Sequence, residues 1–120
     1  MKREPNLEKM TAAEDLVRRF LITSGLFWRY EYPVHLFDDG GRYRTWTPDF
    51  QLPDLDIYVE VVGDSSKRDY DFRRRIYALN CIKIIFVHIQ SADWQQELRD
   101  GILAIEKNRS AVVKKLLGWA

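Results

Sequence analysis

The segment that most constrains this chain is the run Ile82-Lys83-Ile84-Ile85-Phe86-Val87-His88-Ile89. Successive side chains of a strand point to opposite faces, so a nearly continuous apolar run is covered on both. The run therefore reads as a buried central strand beside a parallel neighbour. Parallel neighbours need a crossover of a dozen or more residues, usually helical. The preceding sequence supplies one. Residues 56–62 read as a strand, with Asp56, Tyr58, Glu60 and Val62 on one face and Ile57, Val59 and Val61 on the other. Residues 63–66 read as a loop. Residues 67–79 read as a helix with Phe72, Ile76 and Leu79 on one stripe. Together these form a strand–helix–strand unit of the kind that is right-handed.

The flanking segments extend the pattern. Leu7, Met10, Val17, Phe20 and Leu21 recur at helical spacing, with Gly25 as a stop. Thr11 and Glu14 have the spacing of a capping box, which sets the regular helix start at Thr11. Residues 27–36 and 43–50 read as two strands of a hairpin around Asp38-Asp39-Gly40-Gly41. Residues 51–54, with Pro53, read as a second turn. Ser91 or Asp93 offers a cap for a helix through Trp94, Leu98, Ile102 and Ile105, and a last short helix is expected over 111–117. At 120 residues the chain suits a single domain, 1–120, with one core. The order of elements implies an α/β fold with a mixed sheet flanked by helices on both sides.

Charge and cysteine usage narrow the chemistry. A net charge of +1 argues neither for nor against nucleic acid, because phosphate binding depends on local clusters. Arg42 and Arg44, with Trp46, form one basic strip. Lys67, Arg68, Arg73, Arg74 and Arg75 crowd one helix, where Arg74 shares a face with Tyr70 and Tyr77, and Lys107, Arg109, Lys114 and Lys115 form a third area. Each has an alternative reading as a solvated charged face. The one cysteine, Cys81, is expected near the core and excludes an internal disulfide or a multi-cysteine zinc site. No apolar stretch has the length of a signal or membrane span, so the expected location is cytoplasmic.

The carboxylates carry the most chemistry. Asp49 follows Pro48 where a strand meets a turn, and Glu60 lies among apolar residues within the next strand. Adjacent strands lie about 4.8 Å apart, which would bring the two acids together. Paired carboxylates suit a hard divalent cation. Glu14, on the apolar stripe of the first helix, is a third candidate, with simple capping as its alternative. Glu60 alternatively pairs with an arginine or faces solvent.

Thr47-Pro48-Asp49-Phe50 followed by Tyr58-Val59-Glu60-Val61-Val62-Gly63 resembles the PD-(D/E)XK nuclease superfamily. The resemblance spans about Glu14 to Ile89. It implies a restriction-endonuclease-like three-layer fold and a magnesium-dependent DNA endonuclease, with manganese as a substitute ion. It also implies a metal set of Asp49, Glu60, Val61 and Glu14, DNA as partner, and a homodimer for cutting both strands. Val62 stands where that family usually carries a lysine. Lys67 is then the nearest replacement in sequence, with Arg74 next. The same departure supports an alternative, a catalytically silent relative that binds nucleic acid or a protein partner.

Overall fold

The computed structural model describes residues 9–63 and 70–118. The chain is a small α/β domain. Its elements are α1 (Ala12–Thr23), β1 (Arg29–Tyr30), β2 (Val34–Phe37), β3 (Tyr43–Trp46), β4 (Phe50–Leu52), β5 (Ile57–Val62), α2 (Tyr70–Leu79), β6 (Ile84–His88) and α3 (Trp94–Leu116). A mixed sheet has the order β1-β4-β5-β6, antiparallel except for β5–β6. Helix α2 connects the two parallel strands, as the sequence implied.

Two clusters pack on opposite faces of this sheet. On one, Val17, Phe20 and Leu21 of α1 and Leu98 of α3 meet Phe50, Leu52, Ile57, Val59 and Val87. Phe20 and Trp94 join the two helices edge to face at 5.6 Å. Gly101 lets α3 lie close on β6, since a Cβ there would sit 3.2 Å from Ile85 Cδ1. On the other face, Val34 and Leu36 of β2 pack with Ile76 and Tyr77 of α2, against Tyr58, Ile84 and Phe86. The alternation of Ile57 and Val59 against Tyr58 therefore sorts β5 between the two clusters.

Several expectations are corrected. Strand β6 is an edge strand, not a central one. Its apolar run reflects cover on both faces, which needs helices above and below but no second strand neighbour. The two long hairpin strands each break in two. Residues 27–36 divide into β1 and β2, separated by Glu31 at φ 53° and Pro33. Residues 43–50 divide into β3 and β4 at Thr47-Pro48-Asp49. The inner halves join the main sheet, and β2–β3 form a separate two-stranded sheet. Gln51 and Leu52 belong to β4, and the turn lies at 53–56.

Other departures concern helices and burial. Helix α3 runs unbroken through the expected last helix, and Asp93 makes no side-chain cap bond. Arg109 pins α3 to that turn, donating to the carbonyls of Leu55 and Asp56. It is thus spent on structure rather than left in a free basic area. On α2 the buried pair is Ile76 and Tyr77, while Phe72 and Leu79 are 38% and 61% exposed. The helix is rotated from the expected stripe because Tyr77, read as polar contact surface, fills the space beneath Trp46 and Phe86. Cys81 is exposed, in a left-handed turn at φ 57°. Among the described residues no helix is long and apolar enough to cross a membrane.

Candidate metal centre

The site grows from the start of α1. Thr11 caps the helix by accepting from the Glu14 N–H at 3.1 Å, and Glu14 Oε1 accepts from the Thr11 N–H at 2.9 Å. The capping box is present, yet it does not exhaust Glu14. The residue is buried and its Oε1 also accepts from the Tyr30 hydroxyl at 3.0 Å. It further shares a hydrogen bond with the Asp49 carboxyl. Capping does not prevent Glu14 from reaching inward: the same carboxylate closes the cap and meets Tyr30 and Asp49.

Asp49 lies just before β4. The register pairs Phe50 with Val59, and one step further sets Asp49 opposite Glu60. Because β4 begins at Phe50, the Val61 N–H is taken by Asp49 Oδ2 at 2.6 Å in place of a ladder carbonyl. The Asp49 main-chain carbonyl accepts from Glu31 N at 2.9 Å, which ties the same residue to the end of β1. Asp49 is thus fixed by β1, β5 and α1 together.

Glu60 is 8% exposed in the middle of β5. Arg73 of α2 donates to its Oε1 at 3.3 Å. The sequence placed Arg73 among the basic residues crowding this helix and gave it no role at the carboxylates. Its position one turn before Tyr77 on the inner side of α2 was the available signal. Val62, where the resemblance calls for lysine, is 2% exposed and packed. Lys67 and Arg68 lie outside the described residues.

The electrostatics are those of crowded carboxylates. Burial, then the hydrogen bond to Glu14 and the charge of Glu60, push Asp49 up to about 9 against the opposing Val61 N–H. Burial would also raise Glu14, but hydrogen bonds from Asp49, Thr11 and Tyr30 outweigh it and hold Glu14 below its ordinary value. Burial and the neighbouring carboxylates thus favour the protonated form of Asp49, while the bonds to Glu14 favour its ionised form. Burial pushes Glu60 up to about 7, with Arg73 opposing and Glu14 adding. Tyr77 is raised as well, first by burial and then by the Glu60 charge.

Hard oxygen donors of this kind suit magnesium or manganese. Among the described residues, however, no group of three or more His, Cys, Asp or Glu is placed to hold a metal ion. Their oxygens are instead committed to Thr11, Tyr30, Val61 and Arg73. These bonds engage one oxygen of each carboxylate, Glu14 Oε1, Asp49 Oδ2 and Glu60 Oε1, and the donor chemistry fits a divalent cation.

The basic candidates divide. Arg44 Nε donates to Asp38 Oδ2 at 2.6 Å and closes the hairpin turn. Arg74 pairs with Asp71 at 3.2 Å and lies over the Phe86 ring at 4.8 Å. Trp46 packs inward on Tyr77 at 5.2 Å. Arg42 is exposed and makes no ion pair with a described residue. No family model, curated protein or solved structure matches the chain.

Proposed function

We propose that this chain is a divalent-metal-dependent DNA endonuclease of restriction-endonuclease-like fold that hydrolyses phosphodiester bonds. The observation that carries the reading is the convergence of Glu14, Asp49 and Glu60 on one end of a mixed sheet, two of them with raised proton affinity. Like charges at close quarters favour a proton or a cation between them. Asp49 and Glu60 would hold the ion, with Glu14 and the Val61 main chain beside it. A bound magnesium ion supplies a Lewis acid that activates water and offsets charge developing on the phosphate.

The chain's own groups do the rest. Arg73 brings a guanidinium to Glu60, which supports it over Lys67 or Arg74 as the replacement for the motif lysine. Its charge is permanent, so it orients Glu60 and meets phosphate oxygens but does not accept a proton. The Val61 N–H fixes one Asp49 oxygen and leaves the other facing Glu14.

The same Arg73–Glu60 pair favours a second reading. An arginine that neutralises Glu60 without a metal makes the trio a closed structural cluster in a non-cutting relative. The deciding experiment incubates duplex, branched and single-stranded DNA with the protein and magnesium, manganese or EDTA. Metal-dependent cleavage that disappears in Asp49→Ala supports the nuclease. DNA binding without cleavage of any substrate overturns it in favour of the silent relative.

A further inference from the structure

We infer that the outer face of the β2–β3 hairpin is a stacking platform for a short single-stranded nucleic-acid segment. The inference rests on the nuclease reading for its biological substrate, but the binding it describes is measurable without cleavage.

Period-two alternation assigns the hairpin's two faces. Val34, Leu36 and Trp46 turn inward onto α2, while His35, Phe37, Tyr43 and Thr45 turn outward. The outward residues are cross-strand partners, His35 with Thr45 and Phe37 with Tyr43. Phe37 and Tyr43 are 56% and 60% exposed although each is a large ring. Their rings meet edge to face at 5.8 Å, and Tyr43 lies nearly parallel to His35 at 5.8 Å and 10°. His35 Nδ1 is held by the Tyr43 hydroxyl at 2.6 Å and by Thr45 Oγ1 at 3.1 Å. Asn80, just past the end of α2, braces the hairpin edge, accepting from Phe37 N at 3.0 Å and donating to Phe37 O at 2.8 Å. The three rings form an ordered strip in which one side of Tyr43 is turned to His35, while Phe37 and Tyr43 keep more than half of their surface exposed.

The charges around the strip suit a polyanion. At the turn, Asp38 is paired with Arg44 and Asp39 with Arg75. Arg42 is the cation left over there. At the other end the strip meets an open cavity of about 320 Å³, lined in part by His35, Tyr58, Cys81 and Lys83, with Asp56 as its one carboxylate. Lys83 is exposed and forms no ion pair with a described residue.

An aromatic strip flanked by a cation at each end matches the way single strands are held, with bases on rings and phosphates on the flanking charges. A duplex cannot use the strip, because its base faces are already stacked on one another. The platform also leads to the carboxylates. Asp49 lies six positions along the chain from Tyr43, a reach of at most roughly 20 Å, or a few nucleotides.

The test is fluorescence anisotropy in EDTA with a labelled oligothymidylate and, beside it, a labelled blunt duplex. The single strand is expected to bind more tightly than the duplex. Phe37→Ala and Tyr43→Ala are each expected to weaken single-strand binding roughly tenfold. Tyr43→Phe, which keeps the ring, should retain it, and Arg42→Ala should lower the salt slope by about 0.7. Thermal melts identify any variant that fails to fold, and Tyr43→Phe reports in that case. Equal binding of single strand and duplex, or unchanged affinity in folded Phe37→Ala and Tyr43→Ala, would show the rings to be a cross-strand packing pair and overturn the inference. Cleavage of duplex by the same variants in magnesium reads the carboxylate site separately, so either reading can fail alone.

Discussion

Asp49 at the carboxylate end of the sheet and Trp46 at the end of the hairpin are joined by two residues of chain, Thr47-Pro48, yet the two regions follow opposite rules. At the first, charges are buried, crowded and committed to partners, and proton affinities rise. At the second, rings are exposed, the turn's acids are paired, and cations stand free of described partners. Chemistry needs the first environment, because only burial and crowding shift a carboxyl by several units. Recognition needs the second, because a ring already buried cannot stack on a base. Under the proposed nuclease reading, changes at the carboxylates are expected to alter turnover and pH dependence, and changes on the hairpin to alter affinity.

The largest expected effect is at Glu60. Glu60→Ala should reduce metal-dependent cleavage to background in a DNA-nicking assay while oligonucleotide affinity is kept, since basic groups supply most of the binding. Equal loss of binding would erase the distinction between the two regions. Next comes the packing beneath both. Ile76→Ala should lower the unfolding free energy in urea by roughly 2–5 kcal/mol, because the side chain is wholly buried between α2 and the sheet. Arg73→Ala should reduce the cleavage rate about 10–100-fold, the range for groups that orient metal-binding carboxylates. The result that would return the role to Lys67 is an unchanged rate in Arg73→Ala with a large loss in Lys67→Ala.

The pH dependence of stability sharpens the contrast further. Asp49 and Glu60 have folded values raised to about 9 and about 7, above their ordinary 3.8 and 4.5. Their stabilisation is therefore full below those ordinary values and is lost as pH rises through 7 and 9. Glu14, held low, acts in the opposite sense and loses its contribution as pH falls. In EDTA the protein should weaken between about pH 5 and 9. Asp49→Asn can still donate to Glu14 and accept from Val61. It should flatten that fall and exceed the parent by about 1 kcal/mol or more at pH 8. Urea titrations at three pH values decide this, and a parallel decline in parent and variant would refute the raised proton affinity of Asp49. The smallest effect belongs to Leu79→Ala, expected within about 0.5 kcal/mol of the parent because Leu79 faces solvent.

The sequence by itself determined the elements whose signal is local. The Thr11–Glu14 spacing specified a cap that is present at both hydrogen bonds. The apolar run at 82–89 and the alternation at 57–62 specified adjacent parallel strands with a helix between. The turn at 38–41 specified a hairpin. Tertiary structure alone decided the rest. Strand edges carry no residue pattern, because hydrogen bonding to a neighbour uses the backbone, so β6 could read as central and yet lie at an edge. The hairpin strands broke because Glu31 at positive φ and the Thr47-Pro48-Asp49 segment let each half join a different sheet. Arg73 reaches Glu60 across thirteen residues of sequence, and Glu14 meets Asp49 across thirty-five. Such meetings are set by how helices dock on the sheet, and docking is a sum over the whole core that no local spacing encodes.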